Sequence, residues 1–164
     1  MISRAVVFTA LALACATGSA GAQGRQMPDE GQQHIFSNQS GTYTAPYPPT
    51  SGQHWGSNWA EWEVVDRPLP PEEFVHNLEH GGIVILYRCD APCPTLVKDL
   101  RELYATFPKG KYGKVKLVVA PDKKIKPPIV ILAWTWIDEL PTFDRERLLR
   151  FYRGHVDRGP EDVP

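Results

Sequence analysis

The sequence predicts a small α/β (α+β) fold: a mixed-sheet sandwich in the order strand, helix, strand, strand, helix, preceded by a proline-rich irregular segment and a short histidine-bearing helix. Three observations carry this expectation. Ile83-Val84-Ile85-Leu86-Tyr87 is an unbroken apolar run between Gly81-Gly82 and Cys89, the mark of a strand buried on both faces. From 94 to 107, Leu96, Val97, Leu100, Leu103, Tyr104 and Phe107 recur at three- and four-residue steps, the period of a helix with one apolar side. Residues 115–120 and 129–137 are rich in β-branched and aromatic side chains, which suit a pleated sheet surface.

With 164 residues and a formal net charge of -1, the chain is sized for one domain plus ends. The near-neutral balance argues against bulk electrostatic binding to nucleic acid. Residues 1–22 read as a signal peptide. Arg4 is a short positive start, residues 5–14 form an apolar run too short to span a bilayer, and Ala20-Gly21-Ala22 is a small-residue cleavage site. The expected mature chain begins at Gln23, is periplasmic or extracellular, and holds no transmembrane helix. The alternative is a lipoprotein anchored at Cys15, a pattern that residues 12–14 fit only loosely. Residues 23–30 are polar and expected to be flexible, and 31–164 form a single globular domain.

Prolines 46, 48 and 49 forbid a helix and favour an extended path broken by turns. Ser51-Gly52 allows a tight turn that aims the His54 ring inward. Trp55, Trp59 and Trp62 read as a lid packed on the core, or else as an aromatic binding platform. Residues 70–82 read as one short helix, opened by Pro70-Pro71, with Glu72 and Glu73 in its first turn and glycine at its close. His76 and His80 are four residues apart and share a face, the spacing with which a helix offers two imidazoles to one metal ion.

Beyond 83–87 and its following helix, a right-handed crossover sets 115–120 parallel to 83–87. Residues 129–137 are expected as one strand, antiparallel to 115–120 across the 121–128 connection. The final helix, 144–156, is capped by Thr142 or Asp144, with Leu148, Leu149, Phe151 and Tyr152 inward and His155 at the surface. Lys109, Lys111, Lys114 and Lys116, and then Lys123, Lys124 and Lys126, read as solvated loop charges, the alternative being a partner surface. Removal of Cys15 leaves Cys89 and Cys93. An oxidising compartment favours a disulfide between them, with a redox pair or soft metal ligands as alternatives.

Four of the five histidines, His34, His54, His76 and His80, precede the sheet. Three or four imidazoles without carboxylate or thiolate suit copper or zinc, and iron less well. The plainer reading is that they are hydrogen-bonded loop staples. Glu79 reads as an outer partner that orients an imidazole, as a further ligand, or as a general base. His76-Asn77-Leu78-Glu79-His80 matches the H-x-x-E-H string of inverzincin peptidases, but that chemistry needs a larger enzyme and a third ligand on another helix. No nucleophile elbow, phosphate loop or dinucleotide fingerprint occurs. Three function classes follow: an exported protein handling copper or zinc, a small metal-dependent oxidase or hydrolase, and a metal-free periplasmic binding module with a tryptophan-rich lid. No catalytic residue and no protein partner is indicated.

Gln33-His34-Ile35, the box from Pro48 to His54 (Pro-Pro-Thr-Ser-Gly-Gln-His), and Val75-His76-Asn77-Leu78-Glu79-His80-Gly81-Gly82 together resemble a bacterial family catalogued as domain of unknown function 3105. Ala133-Trp134, followed by Phe143-Asp144, is similar to its C-terminal part. The resemblance runs from about Gly31 to the end. It implies that His34, His54, His76 and His80, with Glu79, belong to the family pattern, and that the Cys89/Cys93 pair lies outside it. It implies no activity.

Overall fold

The computed structural model describes residues 24–164. In chain order the elements are β1 (Arg25–Gln26), β2 (His34–Ile35), β3 (His54–Trp55), α1 (Pro71–Glu79), β4 (Ile83–Tyr87), α2 (Pro94–Tyr104), β5 (Leu117–Pro121), β6 (Ile129–Ala133), β7 (Trp136–Leu140) and α3 (Arg145–His155). Five strands form a mixed sheet in the order β1-β7-β6-β4-β5, and β2 and β3 form a separate two-stranded sheet. The mixed α/β class and the order after α1 are as the residue pattern predicts. The signal-peptide reading, with Cys15 and Gln23, lies outside the described residues.

β4 lies between β6 and β5 and is fully buried. Ile83, Ile85 and Tyr87 face one side, where Leu100 and Leu103 of α2 and Leu148, Phe151 and Tyr152 of α3 pack. Val84 and Leu86 face the other, against Phe74, Val75 and Leu78 of α1. Alternation along one strand thus builds two cores, which is why the run is apolar at every position. β4 pairs in parallel with β5, as expected. The 63–65 segment covers the outer edge of β5: Val65 N donates to Val119 O and Val119 N to Glu63 O.

Four local expectations are corrected. Residues 129–137 are not one strand but a hairpin, because the chain reverses at Trp134-Thr135, where Thr135 sits at φ 57°. That turn carries no glycine. Distant backbone holds it instead: Thr135 N donates to Thr50 O, and Thr135 O accepts from Met27 N. β5 and β6 are not neighbours either; both flank β4, β6 antiparallel to it. Residues 25–26 are not loose, since β1 pairs with β7 and Met27 is buried beside it. His155 and Lys116 are buried rather than solvated. His155 packs with Phe151 and Trp136 at ring-centroid distances of 4.3 and 4.8 Å. Lys116 donates to His80 O at 2.8 Å and lies 3.3 Å from Asp157.

Cys89 and Cys93 lie at disulfide distance, with Cα atoms 6.0 Å apart, linking the end of β4 to the start of α2. Among the described residues, no helix is long and apolar enough to cross a membrane.

Candidate metal centre

The site is laid where α1 meets the two-stranded sheet. Pro70 and Pro71 begin α1, and Glu72 and Glu73 occupy its first turn, as the positive end of a helix dipole favours. Both carboxylates have work in packing: Glu72 accepts from Gly41 N, and Glu73 pairs with Arg67. Asn77 receives the 60s loop, accepting from Ala60 N and donating to Ala60 O. The helix ends at Glu79, with His80 as its C-cap and Gly81 at φ 74° after it.

β2 and β3 run parallel and place His34 directly opposite His54. His54 N donates to Gln33 O, and Gly56 N to Ile35 O. Gly52, at φ 106°, turns the chain so that its own carbonyl meets the His54 ring. A Cβ there would press on Glu30 and Tyr43. The buried box from 48 to 52 is therefore a rigid turn whose product is the aim of one imidazole.

The structure brings together all five residues singled out in the sequence. Each of the four imidazoles has a nitrogen within 4.8 Å of a Glu79 carboxylate oxygen. Glu79 Oε2 lies 2.8 Å from His54 Nε2 and 3.1 Å from His34 Nε2. His76 Nε2 and His80 Nε2 face each other at 3.0 Å. Trp59 lies over that pair, with ring centroids 5.1 and 5.5 Å away. Of the three tryptophans read as a lid, this is the one over the histidines; Trp62 packs beside the core and against Gly82. Neither cysteine belongs to the cluster.

Protonation follows from the backbone partners. A carbonyl oxygen only accepts, so His54 Nδ1 donates to Gly52 O and His76 Nδ1 donates to Trp55 O. Nε2 of each ring is left pointing inward. Burial disfavours the charged form of His76, and its Trp55 hydrogen bond offsets this only in part. The neighbouring His80 and His54 push the same way as burial, and its pKa falls to about 4. The neutral ring therefore carries a lone pair on Nε2. Burial also lowers His80, against the opposing pull of Glu161 and Glu79. His54 goes the other way. Burial would lower it, but hydrogen bonds to Glu79 and the Gly52 carbonyl hold its pKa up. Burial would raise Glu79, but bonds from His54 and His34 hold its pKa down. In the metal-free protein, then, an imidazolium and a carboxylate neutralise each other in a nearly dry place. A cation among these donors would replace that proton.

One site neighbour is absent from the sequence reading: Glu161, whose Oε2 is 3.2 Å from His80 Nε2. Gly159-Pro160 signals a turn in the tail, but nothing local says which acidic residue beyond it returns to α1. His34 is the exposed member of the cluster, its side chain 49% accessible. It borders a cleft of about 580 Å³ that Gln33, Phe36, Gln39 and Gln53 also line.

Fold and site together define a small α/β protein that gathers four imidazoles around one buried carboxylate. The chain belongs to the family described as "Protein of unknown function (DUF3105)", whose profile matches residues 34–164. The match takes in every histidine of the cluster as well as Glu161. No curated protein and no solved structure matches the chain.

Proposed function

We propose that this is an exported metal-binding protein that handles copper or zinc on the cluster formed by His34, His54, His76, His80 and Glu79. The observation that carries the reading is the pair of Nδ1–H donations to backbone carbonyls, Gly52 O and Trp55 O. An outer hydrogen bond of this kind fixes the tautomer of a metal-bound imidazole and leaves Nε2 to the ion. An all-nitrogen-and-oxygen donor set suits zinc and divalent copper, and suits monovalent copper less. Export is supported by the leader-like residues 1–22 and by two cysteines at bonding distance.

A second reading, a small metal-dependent hydrolase or oxidase, is favoured by one observation: exposed His34 borders the cleft. A catalytic ion keeps one position open to water or substrate, and a cleft beside the cluster is where that position would face.

The test is metal content and affinity. Protein purified without chelators, or equilibrated with zinc or copper and desalted, should retain the ion. His54→Ala and His76→Ala should each weaken binding by about 100-fold or more. His155→Ala removes a core ring and lowers stability, yet should leave affinity unchanged. A wild-type protein that retains neither ion overturns the proposal.

A further inference from the structure

The donors do not form one ring of five. The ligating atoms of His34, His54 and Glu79 lie within 4.8 Å of one another, and so do those of His76, Glu79 and His80. Glu79 is the only residue in both sets. A carboxylate has two oxygens and can join two ions, and paired ions held in this way sit about 3.5–4 Å apart.

Beside the second set stands a further carboxylate, Glu161, 3.2 Å from His80 Nε2. The C-terminal segment doubles back over the end of α1 and delivers Glu161 to His80. Its placement is built from bonds on both sides of Glu161. Asp157 N donates to Gly81 O at 2.8 Å, and Glu161 N donates to Glu79 O at 3.1 Å. The buried Lys116 ammonium joins His80 O to Val163 O, and Tyr112 Oη donates to Asp162. A lysine that is 1% exposed is costly to bury unless its donors are used, and here they are spent on fastening this segment. Gly159 fits so closely that a Cβ there would collide with Glu79 O. Glu161 is therefore held at His80 by the fold, rather than being a surface side chain that happens to reach it.

The geometry points to two metal ions. The first is held by His34, His54 and one oxygen of Glu79. The second is held by His76, His80, Glu161 and the other oxygen of Glu79. The inference rests on the reading that the cluster binds metal, and deepens it. The two positions differ in kind. The second has four protein groups and lies beneath Trp59, which suits a closed, retained ion. The first has three, and exposed His34 puts it beside the cleft, which suits an ion that exchanges or meets a small polar ligand. The ions are of the divalent class that takes imidazole and carboxylate together.

The experiment is a zinc titration of the full mature chain, stripped of metal, followed by calorimetry and elemental analysis after desalting. Two zinc ions per chain are expected. Glu161→Gln, nearly the same shape, should weaken one of them by about tenfold or more and leave the other in place. His34→Ala should do the reverse, sparing the ion that Glu161→Gln weakens. Loaded with divalent copper, the wild type should show magnetic coupling between two centres, and each variant should show an isolated one. One zinc per chain, lost alike in His34→Ala and His76→Ala, would overturn the two-ion arrangement while leaving the metal-binding reading intact. No zinc and no copper would overturn both.

Discussion

β4 and the β2–β3 ladder are both strands, yet they are held by different forces. All five residues of β4 are buried, and each neighbour in the sheet adds apolar side chains to one of the two cores. β2 and β3 have two residues each and contribute almost nothing apolar; Ile35 and Trp55 are only part-buried. They are held by specific polar bonds to distant chain. Tyr43 Oη donates to Gln53 O, Gln53 Nε2 to Gln33 Oε1, and His54 to Glu79. The first region is specified redundantly, by many similar contacts. The second is specified bond by bond, so a single polar substitution there should cost function before it costs the fold.

The sheet should show the largest effect on stability. Ile85→Ala should lower unfolding free energy by about 4 kcal/mol, seen as a fall in the urea midpoint, while the fraction still folded binds metal as before. Next comes His54→Ala. It leaves the buried Glu79 carboxylate with His34 as its remaining hydrogen-bonded imidazole, at about 3 kcal/mol in metal-free protein. Adding Glu79→Gln to that variant should restore much of the loss in the same urea titration, because the uncompensated charge is removed. If the double variant is no better, the buried ion pair is not what links the ladder to α1.

Asn77→Ala should follow at about 2 kcal/mol, since it strands both the N–H and the C=O of buried Ala60. Chemical shifts should move in the 60s loop and leave the sheet in place. The smallest effect belongs to Glu30. Burial would raise its pKa, but the Thr44 hydroxyl and the Thr44 and Ala45 amides hold it below the ordinary 4.5. A depressed carboxylate contributes stability that is fully present above its unfolded pKa and is lost as pH falls through its folded one. Glu30→Gln should therefore flatten the acid limb of the stability curve below about pH 4.5 and change little at pH 7. A steeper limb in the variant would contradict this.

What could be read from residues alone follows the same division. β4, α2 and α3 are patterned within themselves, so the period of apolar side chains found them. The hairpin at 134–135 was hidden because its turn is set by Thr50 and Met27, far away in sequence, rather than by glycine or asparagine. Adjacency in sequence does not decide which side of β4 a strand takes, so β6 and β5 flank it from opposite sides. At the site, the i, i+4 pair His76/His80 was legible as helix geometry. His34 and His54 could be named but not positioned, since their register is a parallel pairing of segments twenty residues apart. The burial of Lys116 and His155 depends on partners on other elements, which no local pattern marks. Glu161 was invisible for the same reason.

The short ladder has a consequence for exchange with solvent. α1 is joined to β4 through Gly81-Gly82 and packs on the sheet, so the amides that support His76 and His80 should exchange only when the core opens. β2 and β3 are two residues each and rimmed by exposed Phe36 and Ser57, so their amides should exchange sooner than those of α1. Two of the four imidazoles are thus carried by the helix packed on the sheet, and two by a ladder held by a few polar bonds.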